Sequence, residues 1–220
     1  MKHEGIRREI IASCREMNRR GLNQGTSGNI SVRVPEGFLI TPSGMAYDEM
    51  TPIDLVIMHL DGSHEGDCRP SSEWRFHRDI MAKRPEVGAV MHMHSMFCTT
   101  LSILRKDIPP VHYMIVVAGG NSIRCTPYRT YGTQELADAA LDALEGRSAC
   151  LLANHGVIAT GPTLKEAMWL VVEVETLAAQ YWRALQVGEP CLLTDDELAA
   201  TVEQFKSYGQ AKPGEIPRCC

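Results

Sequence analysis

The sequence predicts a single α/β domain built on antiparallel hairpins rather than strict βαβ alternation, and three observations predict it. A chain of 220 residues, 44% of them hydrophobic, is long enough to bury a full core as one domain. Period-two apolar runs, which read as strands, are interspersed with stretches whose apolar residues recur at helical spacing. Two of those runs, 30–34 and 38–40, flank a Pro-Glu-Gly turn too short for a crossover helix, so they must pair antiparallel.

Each element follows in order. Residues 4–20 place Ile6, Ile10, Cys14 and Met17 on one helical face and stop at Gly21. The hairpin alternates Ile30, Val32 and Val34, then Phe38 and Ile40, and "DLVIMHLDG" (54–62) supplies a third strand. A helix is expected in "PSSEWRFHRDIMAKRP", with Ser71 or Ser72 as its cap and Pro85 as its end. Val87, Ala89, Val90 and Met91 form a buried strand directly after it. A helix follows at 133–146, then a strand in "ACLLANHGVIAT". A long helix at 163–187 carries a stripe from Leu164 through Val171, Val174 and Ala178 to Leu185, and packs in the core or between subunits. A last helix at 194–206 opens with Thr194 and Glu197 as a capping box. Residues 1–209 are taken as the domain and 210–220 as a flexible C-terminal tail.

Composition excludes several function classes. A formal net charge of -5 argues against nucleic acid as a partner. No apolar stretch reaches membrane-spanning length, and the charged start "MKHEGIRREI" is not that of a signal peptide, so a cytoplasmic protein with no membrane partner is expected. Eight scattered cysteines without a CxxC pair read as reduced thiols.

The chemistry-bearing residues begin at "AVMHMHSMF" (89–97). On a strand, His92 and His94 share a face and point into the same space. They are a metal-binding pair or two unrelated polar residues near a strand end. His155, where the apolar strand breaks at Gly156, is a third candidate ligand or an ordinary turn histidine. Three imidazoles would leave zinc an open fourth position, as catalytic sites require. A second constellation comprises "GTSGNIS" (25–31), "TPSG" (41–44) and "PSS" (70–72). Turn chemistry explains any one of them; together, with a helix N-terminus, they could hold a phosphate. No GxxxxGK[ST] or GxGxxG motif points to a nucleotide. Glu73 alone is also an ordinary first-turn carboxylate. His77 is either a fourth ligand one turn on or, by preference, a packed helix histidine, and His112 is equally ambiguous. Met91, Met93, Met96 and Met114 fill core or pocket walls.

"GTSGNIS", "ITPSG", "PSSEWRFH", "HMHS", "IPPVHYMIVVAGG", "YGT", "NHGVIATG" and "FKSYG" together resemble the class II aldolase/adducin family, in its L-fuculose-1-phosphate aldolase branch, from about residue 4 to 209. The resemblance implies an α/β fold with a central, mainly antiparallel sheet flanked by helices, and a homotetramer with active sites between subunits. It implies that His92, His94 and His155 bind Zn2+, with Mn2+ or Co2+ admissible, and that Glu73 is the catalytic acid/base, able to approach the metal. It places Thr26, Gly28, Asn29, Ser43, Gly44, Ser71 and Ser72 at the substrate phosphate, and Tyr113 and Tyr208 in a neighbouring subunit's catalytic site. Ser43 stands where Thr is common and keeps the hydroxyl; Tyr131 occupies an often aromatic position.

The implied reaction is reversible cleavage of a ketose 1-phosphate to dihydroxyacetone phosphate and a short aldehyde. The ketose would be 5-deoxyribulose, 5-methylthioribulose or L-fuculose 1-phosphate. Cleaving C3–C4 leaves negative charge on C3 and the carbonyl oxygen, which a divalent cation on neutral imidazoles can stabilise without a Schiff-base lysine. Glu73 would exchange the C3 proton, its pKa tuned by Trp74 and Phe76, and Tyr113 would serve the C4 oxygen. The same fold also carries a pentose-phosphate 4-epimerase, a methylthioribulose-1-phosphate dehydratase and a non-catalytic adducin-like interaction module. The intact histidines argue against the module; Glu73 with Tyr113 and Tyr208 favours the aldolase.

Overall fold

A computed structural model describes residues 1–207. Helix α1 (Glu4–Arg19) buries Ile10, Cys14 and Met17, the face expected from the sequence. Strands β1 (Asn29–Val34) and β2 (Gly37–Ile40) form the expected hairpin, Val34 opposite Gly37 across the Pro35-Glu36 turn. Then come β3 (Val56–Met58), β4 (His64–Glu65), α2 (Trp74–Lys83), β5 (Ala89–Met93), α3 (Met96–Ile103) and α4 (Gln134–Ala143). A hairpin of β6 (Ala149–Leu152) and β7 (Gly156–Gly161), α5 (Leu164–Val187) and α6 (Asp195–Lys206) complete the described chain. The strands form one sheet in the order β4-β3-β2-β1-β5-β7-β6, and every named pair is antiparallel.

The pleat sorts side chains between two layers of helix. Leu39, Ile57, Met91 and Val157 face a core shared with α1, α3 and α5. Ile40, Val56, Val90 and Ile158 face the opposite side, against Phe76 and Ile80 of α2 and Leu136 and Ala140 of α4. Fully burying a side chain such as Phe76 or Ile80 stabilises the fold by about 1.5–3 kcal/mol. Because period two puts His92 on the same face as Val90, the imidazole is delivered to the α2 side of the sheet.

Four local expectations need correction. The segment 149–160 is two strands, not one: Leu152 pairs with Gly156 across a loop whose Asn154 sits at φ 54°, a left-handed conformation that asparagine tolerates. The third strand is shorter than 54–62, since Pro52–Asp54 forms a 3-10 turn. Glu73, not Ser71 or Ser72, is the N-cap residue of α2; Ser71 Oγ instead accepts the Glu73 amide at 3.3 Å. Helix α3 was not anticipated. Its sequence lacks an apolar stripe, and its first amides are satisfied from afar: Glu175 on α5 accepts from Phe97 N (2.8 Å), Cys98 N (2.9 Å) and Ser95 Oγ (2.6 Å). The Thr194–Glu197 capping box forms as expected.

Candidate metal centre and adjoining cleft

Three elements bring three imidazoles together. His92 comes from the end of β5, His94 from two residues on, and His155 from the β6–β7 turn. Their rings form a near-equilateral triangle with centroids 4.8–5.0 Å apart, and their nitrogens lie within 4.8 Å of one another. Gly156 makes this approach possible, because a Cβ there would meet Met93 O at 2.4 Å and His94 Cδ2 at 2.9 Å. His92 Nδ1 donates to Val157 O at 3.0 Å, which leaves the Nε2 lone pair facing His94 Nε2 at 3.2 Å. Burial, with His92 alongside, lowers His94 to about 4 and His155 to about 3, so both are neutral ligands at physiological pH.

Glu73 completes the cluster from the start of α2. Its Oε2 lies 3.1 Å from His92 Nε2 and its Oε1 3.3 Å from His155 Nε2. Burial pushes this carboxyl up, but His92, His155 and the Asn29 amide outweigh burial and hold it well below the usual range. That corrects the expected apolar tuning. Trp74 turns away between the Arg75 and Arg78 guanidiniums, and Phe76 lies edge-on to His92. Glu73 Oε1 is a buried acceptor without a hydrogen-bond donor. An orphaned carboxylate oxygen beside three converging imidazole nitrogens is the donor set of a divalent metal, so these residues fit one.

Beside this cluster opens a cleft of about 320 Å³. Thr26, Gly28, Asn29, Ser43, Gly44, Ser71, Ser72 and Glu73 all line it, with His94 and His155. Three turns scattered over 47 positions of sequence thus converge on one space, next to the N-terminus of α2. Gly28 sits at φ 75°, and a Cβ there would meet His92 O at 2.6 Å, so the loop is pressed against the metal strand.

Sequence reasoning missed the residues that hold this loop. Tyr47 O–H donates to Ser27 O and Gly28 O (2.8 and 2.9 Å), while Asn23 donates to Ser27 O and accepts from His94 N. It also missed Tyr128 and Arg129, which line the cleft mouth with Tyr131 and Asn154. Their signal was "CTPYRTYGT", aromatic and cationic residues in a proline- and glycine-punctuated loop.

Tyr113 is placed elsewhere. It begins a 3-10 turn (Tyr113–Ala118), is half-exposed, and stacks on Phe205 at 6.3 Å in a separate groove that Trp169 also lines. Tyr208 lies outside the described residues, as do 210–220. His112 caps that 3-10 turn by accepting from Met114 N. His77 is no ligand: its nitrogens meet Ser31 Oγ and Asn29 Oδ1. Among the described residues no helix is long and apolar enough to cross a membrane, and all six cysteines are unpaired.

The buried histidines set an acid limit. Burial lowers His77 from 6.5 to about 3, as it lowers His155. The unfolded chain therefore takes up protons below pH 6.5 that the folded chain refuses. Stability of the metal-free protein should fall as pH drops from about 6.5 toward 3, and this contribution vanishes above that window. Urea unfolding at pH 7.5 and pH 5 should show a lower midpoint at pH 5; equal midpoints would contradict the burial.

The class II aldolase and adducin N-terminal domain model matches residues 8–182. A 5-methylthioribulose-1-phosphate/5-deoxyribulose-1-phosphate aldolase of Rhodospirillum rubrum is 53% identical over 204 residues, 93% of this chain and 92% of that one. The L-fuculose phosphate aldolase of Escherichia coli is 48% identical over 210 residues, 95% and 98% of the two chains. A solved L-fuculose 1-phosphate aldolase superposes with a TM-score of 0.90 at 40% identity, covering 94% of this chain and 98% of its own. Matched along nearly its whole length in sequence and in fold, and carrying a metal-type cluster on that fold, this chain belongs to the class II aldolase and adducin N-terminal domain family.

Proposed function

We propose that this protein is a Zn2+-dependent aldehyde-lyase that reversibly cleaves a short ketose 1-phosphate to dihydroxyacetone phosphate and an aldehyde. The observation that carries the reading is adjacency: His92, His94, His155 and Glu73 border directly on a cleft lined by hydroxyls, amides and glycines. The cleft holds the phosphate through Thr26, Gly28, Asn29, Ser43, Gly44, Ser71 and Ser72, with the positive end of α2 beside it. That binding fixes the sugar carbons over the cluster. His92, His94 and His155 would hold a dipositive ion, which when bound would stabilise the charge developing on C3 and the carbonyl oxygen. Glu73, ionised and presenting an unshared Oε1, moves the proton at C3.

The family's relatives act on 5-methylthioribulose, 5-deoxyribulose and L-fuculose phosphates by name, and these share the phosphorylated half. A pocket discriminates weakly between partners that differ by a methylene-sized group. The protein is therefore expected to accept several of them. Incubation with each of the three ketose 1-phosphates, coupled to reduction of released dihydroxyacetone phosphate, tests the reading. Release from at least two supports it. Loss of water or inversion at C4 without release would mean dehydratase or epimerase chemistry instead.

The working form is a cytoplasmic homotetramer. Tyr113 reaches a neighbouring subunit's site, a reading supported by the half-exposed Tyr113 and Trp169 in a groove away from this subunit's own cleft; the same role is assigned to Tyr208, which lies outside the described residues. The unpaired cysteines suit a reducing compartment.

Ser72→Ala is expected to raise KM about 10–100-fold with a much smaller effect on kcat, since a hydrogen bond to a charged group is worth roughly 1.5–3 kcal/mol and is made in ground and transition states alike. Asn29→Ala should also lower kcat, because Asn29 Nδ2 donates to Glu73 Oε2 at 3.0 Å. Normal KM values in both would mean these loops are turns only.

A further inference from the structure

A buried line of hydrogen bonds between β1 and α2 leads to Glu73. It uses the periods of two elements: Asn29 and Ser31 share a face of β1 two residues apart, and Glu73 and His77 lie one helical turn apart at the start of α2. The four interdigitate. Ser31 Oγ lies 2.7 Å from His77 Nδ1, His77 Nε2 lies 2.5 Å from Asn29 Oδ1, and Asn29 Nδ2 lies 3.0 Å from Glu73 Oε2. Ser31 and His77 are fully buried, and Asn29 and Glu73 nearly so.

Donor chemistry fixes the direction of this line. A carboxylate only accepts, so Asn29 must turn its NH₂ to Glu73 and its carbonyl to His77. His77 must then carry its proton on Nε2, which leaves Nδ1 to accept from the Ser31 hydroxyl. The arrangement has one consistent polarity, from Ser31 O–H through His77 Nε2–H to Asn29 N–H, and it ends on the carboxylate. Without a donor at His77, the Asn29 amide is free to rotate and present its oxygen to Glu73, where two acceptors would repel.

We propose that His77 is a positioning residue: by donating from Nε2 to Asn29 it locks the asparagine amide so that Glu73 is held by Oε2 and keeps Oε1 directed at the histidine cluster, 3.3 Å from His155 Nε2. The inference rests on the aldolase reading for what Glu73 does, and on geometry alone for how it is held.

Nitrogen-15 NMR of the metal-free, substrate-free protein is expected to show His77 as the Nε2–H tautomer, with the proton slow to exchange; an Nδ1–H tautomer overturns the proposal. In the metal-loaded enzyme, His77→Leu should lower kcat by about 10–100-fold, with KM within about twofold and metal content unchanged. His77→Gln, whose amide can donate to Asn29 and accept from Ser31, should restore most of the loss. Wild-type kcat in His77→Leu, or no rescue by His77→Gln in a folded, metal-replete protein, counts against it. If His77→Leu does not fold, the tautomer and the Gln variant still decide. Because the tautomer is read without substrate or metal, its failure is distinct from failure of the aldolase reading, which the substrate panel decides.

Discussion

Glu73→Gln is expected to bind its metal at close to the wild-type level and to lose about 10²–10⁴-fold in kcat, the contribution typical of a positioned acid/base. The variant is nearly isosteric. Its amide oxygen can still accept from Asn29 Nδ2, and the three imidazoles that converge within 4.8 Å are untouched. What disappears, on the proposed mechanism, is the capacity to take a proton from C3. KM should change little, because Ser71, Ser72 and the loops at Thr26 and Ser43, proposed to hold the phosphate, are untouched. Metal analysis beside steady-state kinetics separates the two effects. Turnover within tenfold of wild type at full metal content would mean that another group moves the proton.

His92→Ala, His94→Ala and His155→Ala should each strip the protein of metal and activity together. Loss of a group that merely orients a metal ligand costs about 10–100-fold in affinity, and loss of a ligand should exceed that. The three variants should differ in stability. His92 is wholly buried and its Nδ1 donates to Val157 O, so removing it deletes that bond and leaves a cavity. About 1–3 kcal/mol of stability should be lost in the metal-free protein. His94 and His155 are part-exposed and depressed in pKa by burial, so their removal should leave the metal-free protein about as stable as before. Full metal occupancy in any of the three would remove that histidine from the site.

The fold was legible where local chemistry decides structure. Helices α1, α5 and α6 lie within a residue or so of expectation because apolar stripes and caps such as Thr163 and Thr194 are written locally. The hairpin at Pro35-Glu36 was legible for the same reason. Helix α3 was not, because the carboxylate that satisfies its N-terminus is Glu175, about 80 residues away in sequence. The 153–155 turn was hidden by apolar runs on both sides, with Asn154 as its one backbone signal.

The site follows the same division. The three histidines and the Ser- and Gly-rich loops carry chemistry in their residue types, and the resemblance placed them. The residues that support them look ordinary in sequence: Tyr47 and Asn23 read as loop residues, Ser31 as a strand polar residue and His77 as a helix histidine. Their meaning comes only from pairing across β1, α2 and β5. The polar character of Glu73's surroundings, too, depends on His92 and His155 arriving from distant strands.

The most direct test is isotope exchange without aldehyde. Dihydroxyacetone phosphate is incubated in D2O with the metal-loaded protein, with the protein after chelation, and with Glu73→Gln, and deuterium at C3 is followed by proton NMR. The expected result is rapid, stereospecific uptake of one deuteron by the metal-loaded enzyme, loss of uptake on chelation, its return on adding Zn2+, and negligible uptake by Glu73→Gln. Absence of exchange in folded, metal-replete protein, or exchange that is indifferent to both the metal and Glu73, would contradict the account.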